Sequence, residues 1–175
     1  MKYLFLTYTL FLLAGTSYSQ DSEIVKWYSI NDIETLLANE PRPVFIDAYT
    51  DWCGWCKEYD KKTFSDPVIA RYLNENFYPV KFNAESNESV NFMGTEYIND
   101  GKNGKTHQLA VRLLVVDGRI SYPTIVFLNE KGEYLGPVPG YNPPKDFEPL
   151  LVFVKEKAYQ EKSYEDFMKT FKGSY

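Results

Sequence analysis

Val44-Phe45-Ile46-Asp47-Ala48-Tyr49-Thr50-Asp51-Trp52-Cys53-Gly54-Trp55-Cys56-Lys57 runs from an apolar stretch into two thiols three residues apart, and these are the only cysteines in 175 residues. The run Val44 to Ala48 has the length and apolar content of a buried strand, and Lys57 to Lys62 continues the motif as a helix. A disulfide across so short a loop restrains little chain entropy, because stabilisation by a cross-link grows with the loop it closes. The pair therefore reads as chemistry rather than as a staple.

At a strand-to-helix turn the first thiol meets free backbone N–H groups and the positive end of the helix dipole, which favour its thiolate. Cys53 is then the expected nucleophile. Cys56, one turn on and more buried, is the expected resolving thiol, which attacks a mixed disulfide formed on Cys53. That attack needs a group to take the Cys56 proton. Asp47, six residues upstream among Phe45, Ile46 and Ala48, is expected to lie buried beneath the motif, where desolvation raises its pKa towards neutrality. Lys81, on the next expected strand, is its candidate partner. Zinc needs about four ligands, and the chain offers two cysteines and the single His107. Haem attachment would need a histidine at position 57, which is Lys. No metal or cofactor is called for.

Outward from the motif, Asn31 or Asp32 is placed to cap a short helix through Ile33, Leu36 and Leu37 that Pro41 and Pro43 stop. Asp66 and Pro67 read as N-cap and first residue of a helix to Asn76, and Tyr78 to Asn83 as a strand. Residues 84–105 turn to Asn, Ser, Gly and Glu and read as an inserted loop. His107 to Leu114 reads as a helix, Thr124 to Leu128 as a strand turning into Tyr134 and Leu135, and Asp146 to Gln160 as a helix with Pro149 in its first turn. Tyr164, Phe167, Met168 and Phe171 give 161–175 the spacing of a further helix docked on the domain. The pattern is that of one α/β layered domain over 20–160 plus this tail.

Lys2, the apolar stretch Leu4 to Ala14 and Ser17-Tyr18-Ser19 have the form of a cleaved export signal over 1–19. Its loss removes one basic residue and leaves 18 against 24 acidic, a net charge of −6. Nucleic acid is not an expected partner. No later stretch approaches the ~20 apolar residues of a membrane span. An exported protein of a bacterial periplasm is the expectation.

The stretch Val44 to Glu85, with Trp-Cys-x-x-Cys-Lys, Lys62-Thr63-Phe64-Ser65-Asp66-Pro67 and Lys81-Phe82-Asn83, resembles the thioredoxin superfamily, most of all the C-terminal periplasmic domain of DsbD-type interchange proteins. Tyr122-Pro123-Thr124 matches the family's second signature. The resemblance implies a thioredoxin fold, a mixed sheet flanked by helices, with Asp47 and Lys81 in the buried acid and lysine positions. It also implies a cis Pro123 facing the cysteines, a Tyr122 backbone that pairs with a partner strand, and an apolar rim of Trp52, Trp55 and Tyr122 around Gly54. The implied activity is thiol–disulfide exchange with cysteine-containing exported proteins, in the reducing direction, re-supplied by a membrane electron donor. An isomerase or oxidase, or a non-catalytic binding module or chaperone on the same fold, are the competing readings. The Gly54-Trp55 pair, the 84–105 insertion and the extra residues Val115 to Ile120 depart from the family pattern.

Overall fold

The computed structural model describes residues 24–175, so the expected leader over 1–19 lies outside the described residues. In chain order the elements are α1 (Ile33–Asn39), β1 (Val44–Tyr49), α2 (Gly54–Glu58), α3 (Pro67–Asn76), β2 (Tyr78–Asn83), β3 (Val90–Phe92), β4 (Thr95–Tyr97), α4 (Gln108–Leu114), β5 (Thr124–Leu128), β6 (Tyr134–Pro139), α5 (Pro144–Lys155) and α6 (Tyr164–Met168). The main sheet has the order β2-β1-β5-β6. β1 runs parallel to β2, with Asp47 opposite Lys81, and antiparallel to β5, with Ala48 opposite Thr124. This is the mixed sheet flanked by helices that the family resemblance implied.

β1 is covered on both faces, which is why it reads as an unbroken apolar run. Val44, Ile46 and Ala48 pack with Ile33 and the α4 residues Leu109, Leu113 and Leu114 on one side. Phe45 belongs to the other layer, with Tyr59, Ile69 and Leu151. Its ring meets Phe64 and Phe147 at 5.6 Å, Phe127 at 5.9 Å and Trp27 at 6.1 Å. Strand alternation puts Asp47 on this same face, beneath the helices that follow the cysteines.

Several elements differ in detail from their sequence reading. Helix α2 ends at Glu58 and passes into a wider π turn over Tyr59–Thr63, closed by Phe64 N–H donating to Tyr59 C=O at 2.9 Å. The extra residue per turn brings Tyr59 and Phe64 into a stack at 4.8 Å, so packing overrides the regular helix. The first helical turn, Ile30–Asp32, is capped by Ser29, whose hydroxyl accepts from Asn31 N–H, and Asp32 makes no side-chain cap. Asp66 caps α3 as expected, accepting from Val68 and Ile69 N–H. Residues 84–105 hold the β3–β4 hairpin, turned at Met93-Gly94 with both φ positive, a primed turn. Asn91 and Gly94 N–H donate to Asn31 and Glu34 side chains at 2.8 Å and tie it to the start of α1.

The last elements also shift. α5 begins at Pro144, which leaves Pro149 in its second turn, and ends at Lys155 before a left-handed Lys157 and a 3-10 turn over Ala158–Gln160. The helix expected over 161–175 is only α6, whose Tyr164 and Phe167 pack on Phe153 of α5 at 5.3 and 5.2 Å. The chain then extends so that Ser174 can donate, through N–H and hydroxyl, to the buried Glu148 carboxylate at 2.7–3.0 Å. A fully helical tail would forfeit that bond.

β6 lies at the sheet edge, and Gly140 N–H donates to Pro123 C=O at 2.8 Å. Counting back two residues at a time, Val138 and Gly136 also face β5, so the outward N–H positions fall on Pro139 and Pro137. Both lack the proton. The opposite edge, β2, is bridged by Tyr28 pairing with Val80.

The buried Phe45 ring joins β1 to the rings of Trp27, Phe64, Phe127 and Phe147. Phe45→Ala should lower the unfolding free energy of the oxidised protein by about 3–5 kcal/mol, read from urea titration.

Candidate active site

β1 ends at Tyr49, and the turn that follows holds Cys53 in extended conformation (φ −73°, ψ 104°) as the N-cap of α2. Its sulfur accepts from Cys56 N–H at 3.0 Å, the contact that stabilises negative charge there. Cys53 and Cys56 are joined by a disulfide of 2.07 Å. In this oxidised form the two are buried almost alike, at 4 % and 3 % exposure, so the greater burial expected for Cys56 is absent. What distinguishes them is the helix end: only Cys53 receives the N–H.

Two aromatic walls flank the turn. Trp52 is 66 % exposed yet held edge-on to Tyr122 at 5.8 Å, with its indole N–H donating to Glu85 Oε2 at 3.1 Å. Trp55, 62 % exposed, stacks on Tyr141 at 5.5 Å. Tyr141 in turn meets Tyr59, whose hydroxyl accepts from Asn142 Nδ2 at 3.0 Å. Between the walls a Cβ at Gly54 would meet nothing within 4 Å. The Tyr122–Pro123 bond is cis, and no hydrogen bond among the described residues uses the Tyr122 N–H or C=O. Pro123 lies just past the β1–β5 pairing, at the sheet end from which the cysteine turn departs.

Asp47 is 1 % exposed, and neither carboxyl oxygen has a hydrogen-bond partner among the described residues. Lys81 is the nearest cation, but its Nζ stands 3.8 Å from Asp47 Oδ2, beyond hydrogen-bond reach. It bonds instead to Asp60 Oδ1 at 2.5 Å and lies against the rings of Tyr49 and Trp27 at 5.1 and 5.3 Å. Burial pushes the Asp47 carboxyl up to about 7; Lys81 opposes this and Asp60 reinforces it.

The structure thus brings together Trp52, Cys53, Gly54, Trp55, Cys56, Tyr122 and Pro123, and sets Asp47 with Lys81 in the layer beneath. Sequence reading missed Glu85, Tyr141 and Asp60. Asp60 follows the motif by four residues on what reads as one helix, a spacing that could have signalled it.

Residues 31–155 match the family described as Thioredoxin-like domain. The chain belongs to that family. The Cys53–Cys56 disulfide lies within the matched residues. Among proteins it is similar to are the thiol:disulfide interchange protein DsbD of Pectobacterium atrosepticum, 48 % identical over 46 residues (26 % of this chain, 8 % of the relative), and that of Escherichia coli K12, 32 % over 66 residues (38 % and 12 %). The chain thus spans about a tenth of the length of these curated relatives. A thioredoxin-fold protein from Helicobacter pylori shares the fold with a TM-score of 0.56 at 23 % identity, covering 74 % of this chain and 79 % of that one. A Thermus thermophilus thioredoxin does so with a TM-score of 0.56 at 23 % identity, covering 78 % and 93 %. Among the described residues no helix is long and apolar enough to cross a membrane.

The raised carboxyl makes a thermodynamic prediction. The folded protein keeps the Asp47 proton up to about pH 7, whereas the unfolded chain releases it near the ordinary 3.8. The folded state therefore binds the extra proton between those values, and this stability, fully present below pH 4, is lost as pH rises towards 7. Oxidised wild type should lose on the order of 4 kcal/mol across that range relative to Asp47→Asn, measured by urea titration at each pH.

Proposed function

We propose that the protein is an exported thiol–disulfide oxidoreductase that reduces disulfides in other exported proteins. The observation that carries the reading is the Cys53–Cys56 pair capping α2, with an N–H aimed at one sulfur and a buried carboxyl in the layer below.

The cycle starts from the dithiol. Cys53 thiolate attacks one sulfur of a partner disulfide; that S–S bond breaks, a Cys53–partner bond forms, and the partner's other sulfur leaves as a thiolate that takes a proton. Cys56 then gives its proton to Asp47 and attacks the Cys53 sulfur, expelling the second partner thiolate. Two electrons have moved, so the partner holds two thiols and Cys53–Cys56 is oxidised. A carboxyl with a pKa near 7 can accept that proton and return it at neutral pH. The unpaired Tyr122 backbone offers the partner one N–H and one C=O while its cysteine reacts.

An oxidising compartment holds no cytosolic reductant, so restoring the dithiol calls for a membrane protein that passes electrons across. The similarity to proteins named as DsbD, and a Cys-Gly-Trp-Cys loop without histidine, favour reduction over oxidation or isomerisation. The export signal expected over 1–19 is part of the same reading.

The reduction potential tests the direction. Equilibrated in thiol buffers and followed by Trp52 and Trp55 fluorescence, the couple should lie near about −270 mV; a value near about −120 mV would make the protein an oxidant instead. A second test concerns the proton acceptor. Asp47→Asn should slow resolution of a trapped Cys53 mixed disulfide by about tenfold or more at pH 7 while leaving the first attack nearly unchanged, as seen by rapid-quench mass spectrometry. An unaltered resolution rate would remove Asp47 from the mechanism.

A further inference from the structure

The inserted segment 84–105 is pinched at its base. His107 N–H donates to Ala84 C=O at 2.8 Å, and Ala84 N–H donates to Tyr49 C=O at 2.8 Å, so the segment leaves and rejoins the domain at the end of β1. The residues flanking the pinch both reach the aromatic rim. Glu85 accepts the Trp52 indole N–H, and the Thr106 side chain stands beside the Tyr122 phenol. Glu85 is itself fixed, because its N–H donates to Asn83 Oδ1 at 2.9 Å.

Glu85 is half-buried, and among the described residues its one side-chain bond is to Trp52. A carboxylate has about four acceptor positions, so most of its capacity stays open. No Lys or Arg among the described residues forms an ion pair with it. Its charge is felt at Tyr122, whose phenol is pushed above its ordinary range by burial first and by Glu85 second. A segment paired with the free Tyr122 backbone would therefore pass near a carboxylate with which no Lys or Arg among the described residues pairs.

We propose that Glu85 is a specificity-determining residue of the partner groove: it holds Trp52 upright against Tyr122, and its open charge selects partner segments carrying Lys or Arg beside the reactive cysteine. This rests on the exchange reaction proposed above. The inserted segment thereby contributes to partner choice through its root.

The test uses the pre-reduced protein and three peptides whose single cysteine carries a thionitrobenzoate leaving group, identical except for Lys, Gln or Glu after the cysteine. Thiolate attack on the peptide sulfur releases the chromophore. At low salt the Lys peptide should react about tenfold faster than the Glu peptide, and the ratio should shrink in 1 M salt, roughly where screening shortens to 3 Å. Glu85→Gln retains an acceptor for Trp52 but not the charge; it should bring the ratio close to one with Trp52 emission as in wild type. Glu85→Ala should also alter Trp52 emission and slow all three peptides. A Lys-to-Glu ratio that persists in Glu85→Gln overturns the proposal while leaving the exchange reaction standing. Release no faster than in Cys53→Ser, for every peptide, overturns the exchange reaction and the proposal with it.

Discussion

The layer beneath the Cys53–Cys56 turn is organised around a carboxyl placed where it cannot reach water. Asp47 sits in β1, which has a strand on each side and a packed layer on each face, so its short side chain has no route to solvent. Burying an ionised carboxylate without hydrogen bonds is costly, and the group answers by holding its proton to about pH 7. The surroundings keep it in that condition. A fully engaged lysine would ionise it, but Lys81 is drawn to Asp60 and flanked by Tyr49 and Trp27, so it stops short of a bond. The π turn carries Asp60, and the segment before α1 carries Trp27. Elements remote in sequence thus converge on the proton affinity of one side chain.

The two aromatic walls follow a different logic. Trp52 and Trp55 are expensive to leave in water, and each is steadied by a neighbour from another part of the chain: Glu85 and Tyr122 for one, Tyr141 for the other. Steadying them in advance reduces the side-chain entropy that a partner would otherwise have to remove on docking. At Gly54 an added Cβ would meet nothing within 4 Å, so no side chain crowds the turn at that point.

Much of this was legible in the sequence where a local rule and a tertiary demand agree. β1, β2 and β5 read correctly because buried strands are short apolar runs, and Asp66-Pro67 because capping is local chemistry. The π turn was not legible, since the stack of Tyr59 on Phe64 is a packing event that helix propensity does not encode. Nor was the hairpin in 84–105: three-residue strands around Met-Gly lack the usual Asn-Gly signal, and the hairpin is tied down by Asn31 and Glu34 from the start of α1. Glu85 and Tyr141 join the site across the fold from turns that carry no motif. The tail read as a helix from its spacing, but the spacing could not show that Ser174 is drawn to Glu148.

The prolines of β6 have a bearing on the company such a protein keeps. Under the exchange function proposed above, the protein would meet extended, incompletely folded chains, the molecules most ready to add themselves to an open sheet. Here Pro137 and Pro139 strip the outward donors from one margin and Tyr28 occupies the other. Backbone pairing is left available at Tyr122, next to the cis Pro123 and against Trp52. Under that proposal the edges of the sheet would not retain such clients after exchange.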